Sequence, residues 1–263
     1  MMHTLLPVAF VTLLWWSSTG AVLWLANGRT EQLHFRLLGI TLTCAFGFAG
    51  LIVASTSDAA WSPYLAFISA LAVWGWIEFT FLAGMVTGPH FGDCPPDASE
   101  RQRFRLAFRT IMHHEFTLLA ALIGIWAINH VSGNMMGFYT FALLWLMRLS
   151  AKLTIFSGAP TLSIDMMPHR LAHMKTYFRV DRIGPVFWAS IVTNSVLLVA
   201  AIWCLMNEKI SADAHVGLVM LTTLVALAVL EHLFMVLPMR DSALWGWAMS
   251  EENDKKAAAT AAE

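Results

Sequence analysis

Four apolar stretches of this 263-residue chain carry ionisable side chains where a bilayer makes them costly. They hold Glu78, the run His113-His114-Glu115, the pair Arg148 and Lys152, and the pair Glu231-His232. Charges at such depth must be paired or solvated by protein, so each position is a candidate for function. Carboxylates, imidazoles and cations on facing helices suit three chemistries. The first is an ion-pair network, with Glu78, Glu115 and Glu231 facing Arg148 and Lys152, which lie one helical turn apart. The second is a metal site of the kind built inside helical bundles. Against it, the Glu-x-x-His pair of such sites is absent, and neighbours such as Glu231 and His232 point about 100° apart around a helix. In the third, His113, His114 or His232 ligates the Mg of a chlorin or a haem iron within an apolar cavity. All three stay open on the residues alone.

Other signals are weaker. His169-x-x-x-His173 has the i, i+4 spacing of a metal pair, but no acid lies between them, and an interfacial helix carrying two histidines accounts for it. Glu78-Phe79-Thr80 recurs as Glu115-Phe116-Thr117, too short a match for an internal repeat. Span seven offers no lysine for a retinal Schiff base, and the chain has no GxGD, HExxH or EExxxR pattern of an intramembrane protease.

These residues need helices to hold them. Hydrophobic residues make up 58% of the chain and charged residues 13%, with a mean hydropathy of +0.64. Soluble domains carry about 25% charged residues, so the composition is that of an integral membrane protein and excludes a disordered chain or a disulfide scaffold. Cys44 and Cys204 lie in apolar runs and read as small hydrophobes. A span needs about 20 apolar residues. Seven such runs occur: Leu5–Ala26, Leu37–Ala54, Tyr64–Val86, Ala107–Ile128, Met136–Phe156, Pro185–Met206 and Val216–Pro238. Runs of this length cross a bilayer as helices, so the expected fold is all-α and polytopic, one seven-helix membrane domain over residues 1–238. The first run lacks a preceding Lys or Arg and a small-residue cleavage site, so it is expected to be a retained anchor rather than a signal peptide.

Of the 16 Lys and Arg, only Lys209 falls on the side of the even-numbered loops. The positive-inside rule therefore predicts an N-terminus outside and a C-terminus in the cytoplasm. Counting about 1.5 Å per residue from the cytoplasmic ends puts Glu78, His114, Arg148 and Glu231 all roughly 10–12 Å into the membrane. Helices of alternating direction thus deliver their polar groups to one layer. The expectation is that Glu78, Glu115 and Glu231 lie close together with Arg148 or Lys152 among them. His114 with Glu115, and Glu231 with His232, are expected to be the pairs that converge, leaving His113 on the stripe of Arg109.

In the cytoplasmic loops, Asp97-Ala98-Ser99-Glu100 fits a capping box that starts helix four near Ala98. Residues 168–179 read as a basic amphipathic helix on the inner leaflet, with Leu171, Met174 and Phe178 on one face. Trp245 and Trp247 read as interfacial anchors, and the tail 239–263 as a partly disordered cytoplasmic segment.

Arg103-Phe104-Arg105-x-Ala107, the His-Glu of span four, the run Thr140–Gly158, Met167-Pro168-His169-Arg170-Leu171, Tyr177-Phe178 and Leu230–Pro238 together resemble the PuhE-type photosynthetic complex assembly proteins of anoxygenic phototrophs. The chain departs from that family's pattern where Thr154, Ala159 and Thr161 replace Asn, Val and Asn. The resemblance implies a bacterial inner-membrane assembly factor for the reaction centre or light-harvesting complex, or for bacteriochlorophyll supply to it. Its partners would be lipid and nascent photosynthetic subunits or pigment-synthesis proteins, with no nucleic acid. The candidate ligand-binding residues are Glu78, His114, Glu115, Glu231 and His232, with Arg148 and Lys152 as the cations of the layer. Bacteriochlorophyll or a transition metal is the conceivable cofactor. The competing expectation is a metal-dependent membrane enzyme, or its accessory subunit, acting on a tetrapyrrole.

Overall fold

The computed structural model describes residues 2–28, 30–132, 134–161, 167–207, 211–237 and 241–248. Arg29, Lys209, Arg240, the tail beyond Ala248 and the end of span seven at Pro238 lie outside the described residues. The helices are α1 (Met2–Asn27), α2 (Leu33–Ser55), α3 (Ser62–Leu82), α4 (Glu100–Ser132), α5 (Met136–Ser157), α6 (Pro185–Asn207) and α7 (Ala212–Phe234). Each is long and apolar enough to cross a membrane, and the described residues contain no strand.

Successive spans reverse direction, so α1, α3, α5 and α7 run parallel to one another. These four enclose the centre. Val11 of α1, Ala66 and Phe67 of α3, Met136 of α5, and Met220 and Leu224 of α7 form one buried cluster. Helix α2 packs along α3, and Leu51 meets Ala70, Val73, Ile77, Leu118, Ile125 and Phe141 in a second cluster. Helix α6 is peripheral, with Trp188, Val192, Val196, Val199 and Trp203 exposed, as expected of a surface solvated by lipid tails. At the end where α5 begins, Asn134 Nδ2 donates to Ala54 O at 3.1 Å and Ser62 Oγ at 2.7 Å. One side chain thereby ties the α4–α5 turn to the α2–α3 turn.

The opposite end differs from the sequence expectation in instructive ways. Helix α3 stops at Leu82 rather than near Val86, because Gly84 takes φ +74° and the amides of Met85 and Val86 both return to Thr80 O. A positive φ is open to glycine without strain. The chain then runs back alongside α4. Gly88 lies so close to the backbone at Arg109 and Thr110 that any Cβ would collide with it, and the His114 amide donates to Thr87 O at 2.9 Å. Protein backbone, not lipid, therefore flanks α4 at the level of His114.

Helix α4 starts at Glu100, with Ser99 rather than Asp97 at its cap: Ser99 Oγ accepts from the Gln102 amide at 3.3 Å. Glu100 turns away from the cap to pair with Arg103 and Arg179. Residues His169–Tyr177 form a 3-10 helix, not an α-helix. Three residues per turn align Leu171, Met174 and Tyr177 on one face. Leu171 and Met174 pack on Phe81, so this apolar face is spent on the bundle rather than on lipid. Trp245, expected at the interface, is instead buried beside α1 within a 3-10 helix at Asp241–Ala248. Its Nε1 donates to Trp16 O at 2.9 Å, and its ring meets that of Trp15 edge-on. Trp247 remains exposed.

Candidate functional site

Glu78 lies one turn before the end of α3, His114 and Glu115 lie on the inner face of α4, and Arg148 and Lys152 lie one turn apart on α5. The three helices close on one another there. Lys152 Nζ is 2.6 Å from Glu115 Oε1, and Trp145 Nε1 donates to the other oxygen, Oε2, at 3.1 Å. Arg148 Nη2 is 3.5 Å from Glu78 Oε2. The second Glu78 oxygen, Oε1, is buried without a hydrogen-bond partner and lies 3.9 Å from His114 Nε2. His114 is fully buried, its ring 4.3 Å from that of Phe81, and neither of its nitrogens has a hydrogen-bond partner. His113, about 100° round the helix, is exposed.

Helix α7 contributes differently. Glu231 Oε1 accepts from Trp15 Nε1 at 2.9 Å, which brings α1 into the layer. Glu231 also lines a cavity of about 150 Å³ together with Glu78, Arg148, Trp15, Trp74 and Leu224. The Arg148 side chain is 46% exposed there, against 8% for Glu78. His232 faces away, toward Ser150. Its Nδ1 is 2.8 Å from Ala228 O and its Nε2 is 2.9 Å from Ser150 Oγ. The carbonyl can only accept, so Nδ1 carries the proton and Nε2 accepts from the serine hydroxyl. Five predicted residues, Glu78, His114, Glu115, Arg148 and Lys152, thus form one cluster. Glu231 joins it across the cavity, and His232 stands apart with both nitrogens committed.

Trp15, Trp145 and Ser150 belong to the layer and were not anticipated. A buried indole N–H needs an acceptor, so asking which carboxylate each span tryptophan could reach would have pointed to the first two. The substituted positions are also engaged: Thr154 is buried with Oγ1 3.4 Å from Ser190 Oγ, and Thr161 Oγ1 donates to Phe234 O at 2.9 Å.

Beyond the spans, Arg103 locks the loops down. It donates to Tyr177 O at 2.6 Å and Phe156 O at 3.0 Å, with its guanidinium 3.7 Å above the Phe156 ring. Tyr177 Oη donates to Gly92 O at 2.9 Å and lies 3.0 Å from His90 Nε2. Burial keeps His173 below the usual imidazole range and Tyr177 above the usual phenol range. His169 is exposed and His173 half-buried beside Phe91.

Among the described residues, no three His, Cys, Asp or Glu side chains stand close enough to hold a metal ion. The cavity of about 150 Å³ is smaller than pockets for drug-sized molecules, which run to about 300–1,000 Å³. His114 and His232 are packed on all sides, each 0% exposed.

Residues 1–256 match the model of a family described as "Protein of unknown function (DUF3623)". The chain belongs to the DUF3623 family. It is 37% identical over 256 residues to the "Uncharacterized 30.4 kDa protein in puhA 5'region" of Rhodobacter capsulatus, covering 94% of this chain and 92% of that one. No solved structure matches the chain. The match spans every residue of the buried layer, so in this DUF3623 member the layer lies inside the family domain.

Proposed function

We propose that this chain is a non-enzymatic assembly factor for the photosynthetic reaction centre or light-harvesting complex, of the PuhE type. It sits in the bacterial inner membrane with its N-terminus outside and its C-terminus in the cytoplasm. The observation that carries the reading is the Rhodobacter capsulatus relative, named for its place in the puhA 5' region. The paired, closed layer supports a scaffold over a catalyst: its ion pairs fix α3, α4 and α5 in register, while Arg148 and Glu231 stay open to the cavity. Cargo, a nascent subunit or the tail of a pigment on its way to one, would meet the protein from that open side.

An in-frame deletion in the organism of origin tests this. The near-infrared absorption of assembled pigment–protein complexes should fall several-fold and return with the wild-type chain. Unchanged absorption in the deletion strain would contradict the reading.

A further inference from the structure

Helices α1 and α2 follow each other in the chain but do not pack along each other: α1 lies on α3 and α7, and α2 lies on α3. Where α1 stops at Asn27 and α2 starts at Leu33, a groove of about 550 Å³ opens between them, a volume within the range of small-molecule sites. Leu37 and Ile40 pack behind it in the cluster around Phe79. Trp24 of α1 and Phe35 of α2 line it and are 58% and 78% exposed, so its outer side is open. Gly39 and Thr43 continue the lining along α2, and a Cβ on Gly39 would meet nothing within 4 Å. From Arg36 to Thr43 the groove follows the helix for about 10 Å.

Arg36 is the one charged residue among the described lining. It lies in the first turn of α2, whose 23 residues are just enough to cross a hydrocarbon core of about 30 Å, so it stands at the polar boundary. Its Nη1 donates to Leu25 O at 3.2 Å and its Nη2 to Gln32 Oε1 at 3.0 Å. Gly28 lies so close to the same guanidinium that any Cβ would collide with it. The head group is thereby pinned over the end of α1. Two hydrogen bonds leave the rest of the five guanidinium N–H donors unspent, and among the described residues no carboxylate lies within ion-pair distance of Arg36. A fixed guanidinium with donors to spare suits a phosphodiester, and the apolar channel below it suits hydrocarbon.

We propose that the α1–α2 groove binds one phospholipid of the surrounding bilayer, with its phosphate accepting from Arg36 and one acyl chain laid over Gly39. The bound lipid joins α1 to α2 where protein packing does not. The site is separate from the buried layer and does not depend on the assembly role.

The test uses the purified full chain in detergent micelles and phosphatidylglycerol carrying a diazirine in one acyl chain, with photolabelled peptides identified by mass spectrometry. Labelling of the segments around Trp24 and Gly39–Thr43 should saturate at one equivalent, and unlabelled phosphatidylglycerol should compete it away. Diacylglycerol with the same chains but no phosphate should compete at least tenfold more weakly. Gly39→Leu fills the groove from an open position and replaces glycine by a better helix former. It should abolish this labelling without lowering the melting temperature. Arg36→Gln should weaken labelling at least tenfold. Labelling that does not saturate, equal competition by diacylglycerol, or undiminished labelling of Gly39→Leu would each overturn the proposal. Complex yield in cells is not read here, so failure of this site and failure of the assembly role are separable.

Discussion

Lys152→Met is expected to destabilise the protein by about 3–5 kcal/mol, the usual loss when one partner of a buried ion pair is removed. Lys152 Nζ and Glu115 Oε1 are 2.6 Å apart, with side chains 18% and 9% exposed. Without the ammonium, Glu115 keeps only the Trp145 indole. A lone carboxylate there must stay charged in an apolar surround or take up a proton, and either costs free energy. The double variant Lys152→Met, Glu115→Gln should recover most of the loss, because the amide oxygen still accepts from Trp145 and no charge remains. Reversible unfolding in mixed micelles, read as a double-mutant cycle, checks this. Additive losses would mean that the pair does not couple α4 to α5.

His114→Leu should do the opposite to stability. A buried imidazole whose nitrogens have no partner carries a desolvation cost of about 1–3 kcal/mol, and leucine of similar volume removes it while keeping contact with Phe81. The variant should be as stable as the wild type or more so. Under the proposed role its complex yield should nevertheless fall several-fold, because Glu78 Oε1 loses the polar group facing it at 3.9 Å. His232→Ala should lower yield through stability, since it opens a cavity at a fully buried position and removes the acceptor of the Ser150 hydroxyl. His169→Ala and His173→Ala should leave yield near wild type. Equal effects at all four histidines would deny the layer a special role.

The contrast between the two histidines shows where sequence reasoning stopped. Hydropathy and about 1.5 Å per residue are enough to put Glu78, His114, Arg148 and Glu231 at one depth, because depth depends only on counting along straight helices. Which way an imidazole turns depends on helix rotation. The 100° step between Glu231 and His232 allowed either to face inward, and packing against Ser150 and Trp15 decided it. The loops between α3 and α4 and between α5 and α6 are less legible still. Leu171, Met174 and Phe178 do share the apolar cluster at Phe81, but a period of three, not 3.6, also buries Tyr177, which the helical spacing does not select. The re-entry of Thr87 and Gly88 along α4 left no signal beyond a Gly-Pro turn. The preference of tryptophan for interfaces makes Trp245 an expected anchor, but Trp16 O gives its indole N–H an acceptor inside the fold.

The most direct test of the account is the near-infrared absorption of cells in which the Lys152→Met, Glu115→Gln chain replaces the wild type, with its membrane level measured in parallel. This variant keeps the fold but removes half of the layer's ion pairing, so the account predicts wild-type protein levels with several-fold less assembled complex. Wild-type protein levels with undiminished complex absorption would contradict the claim that the buried layer does the protein's work.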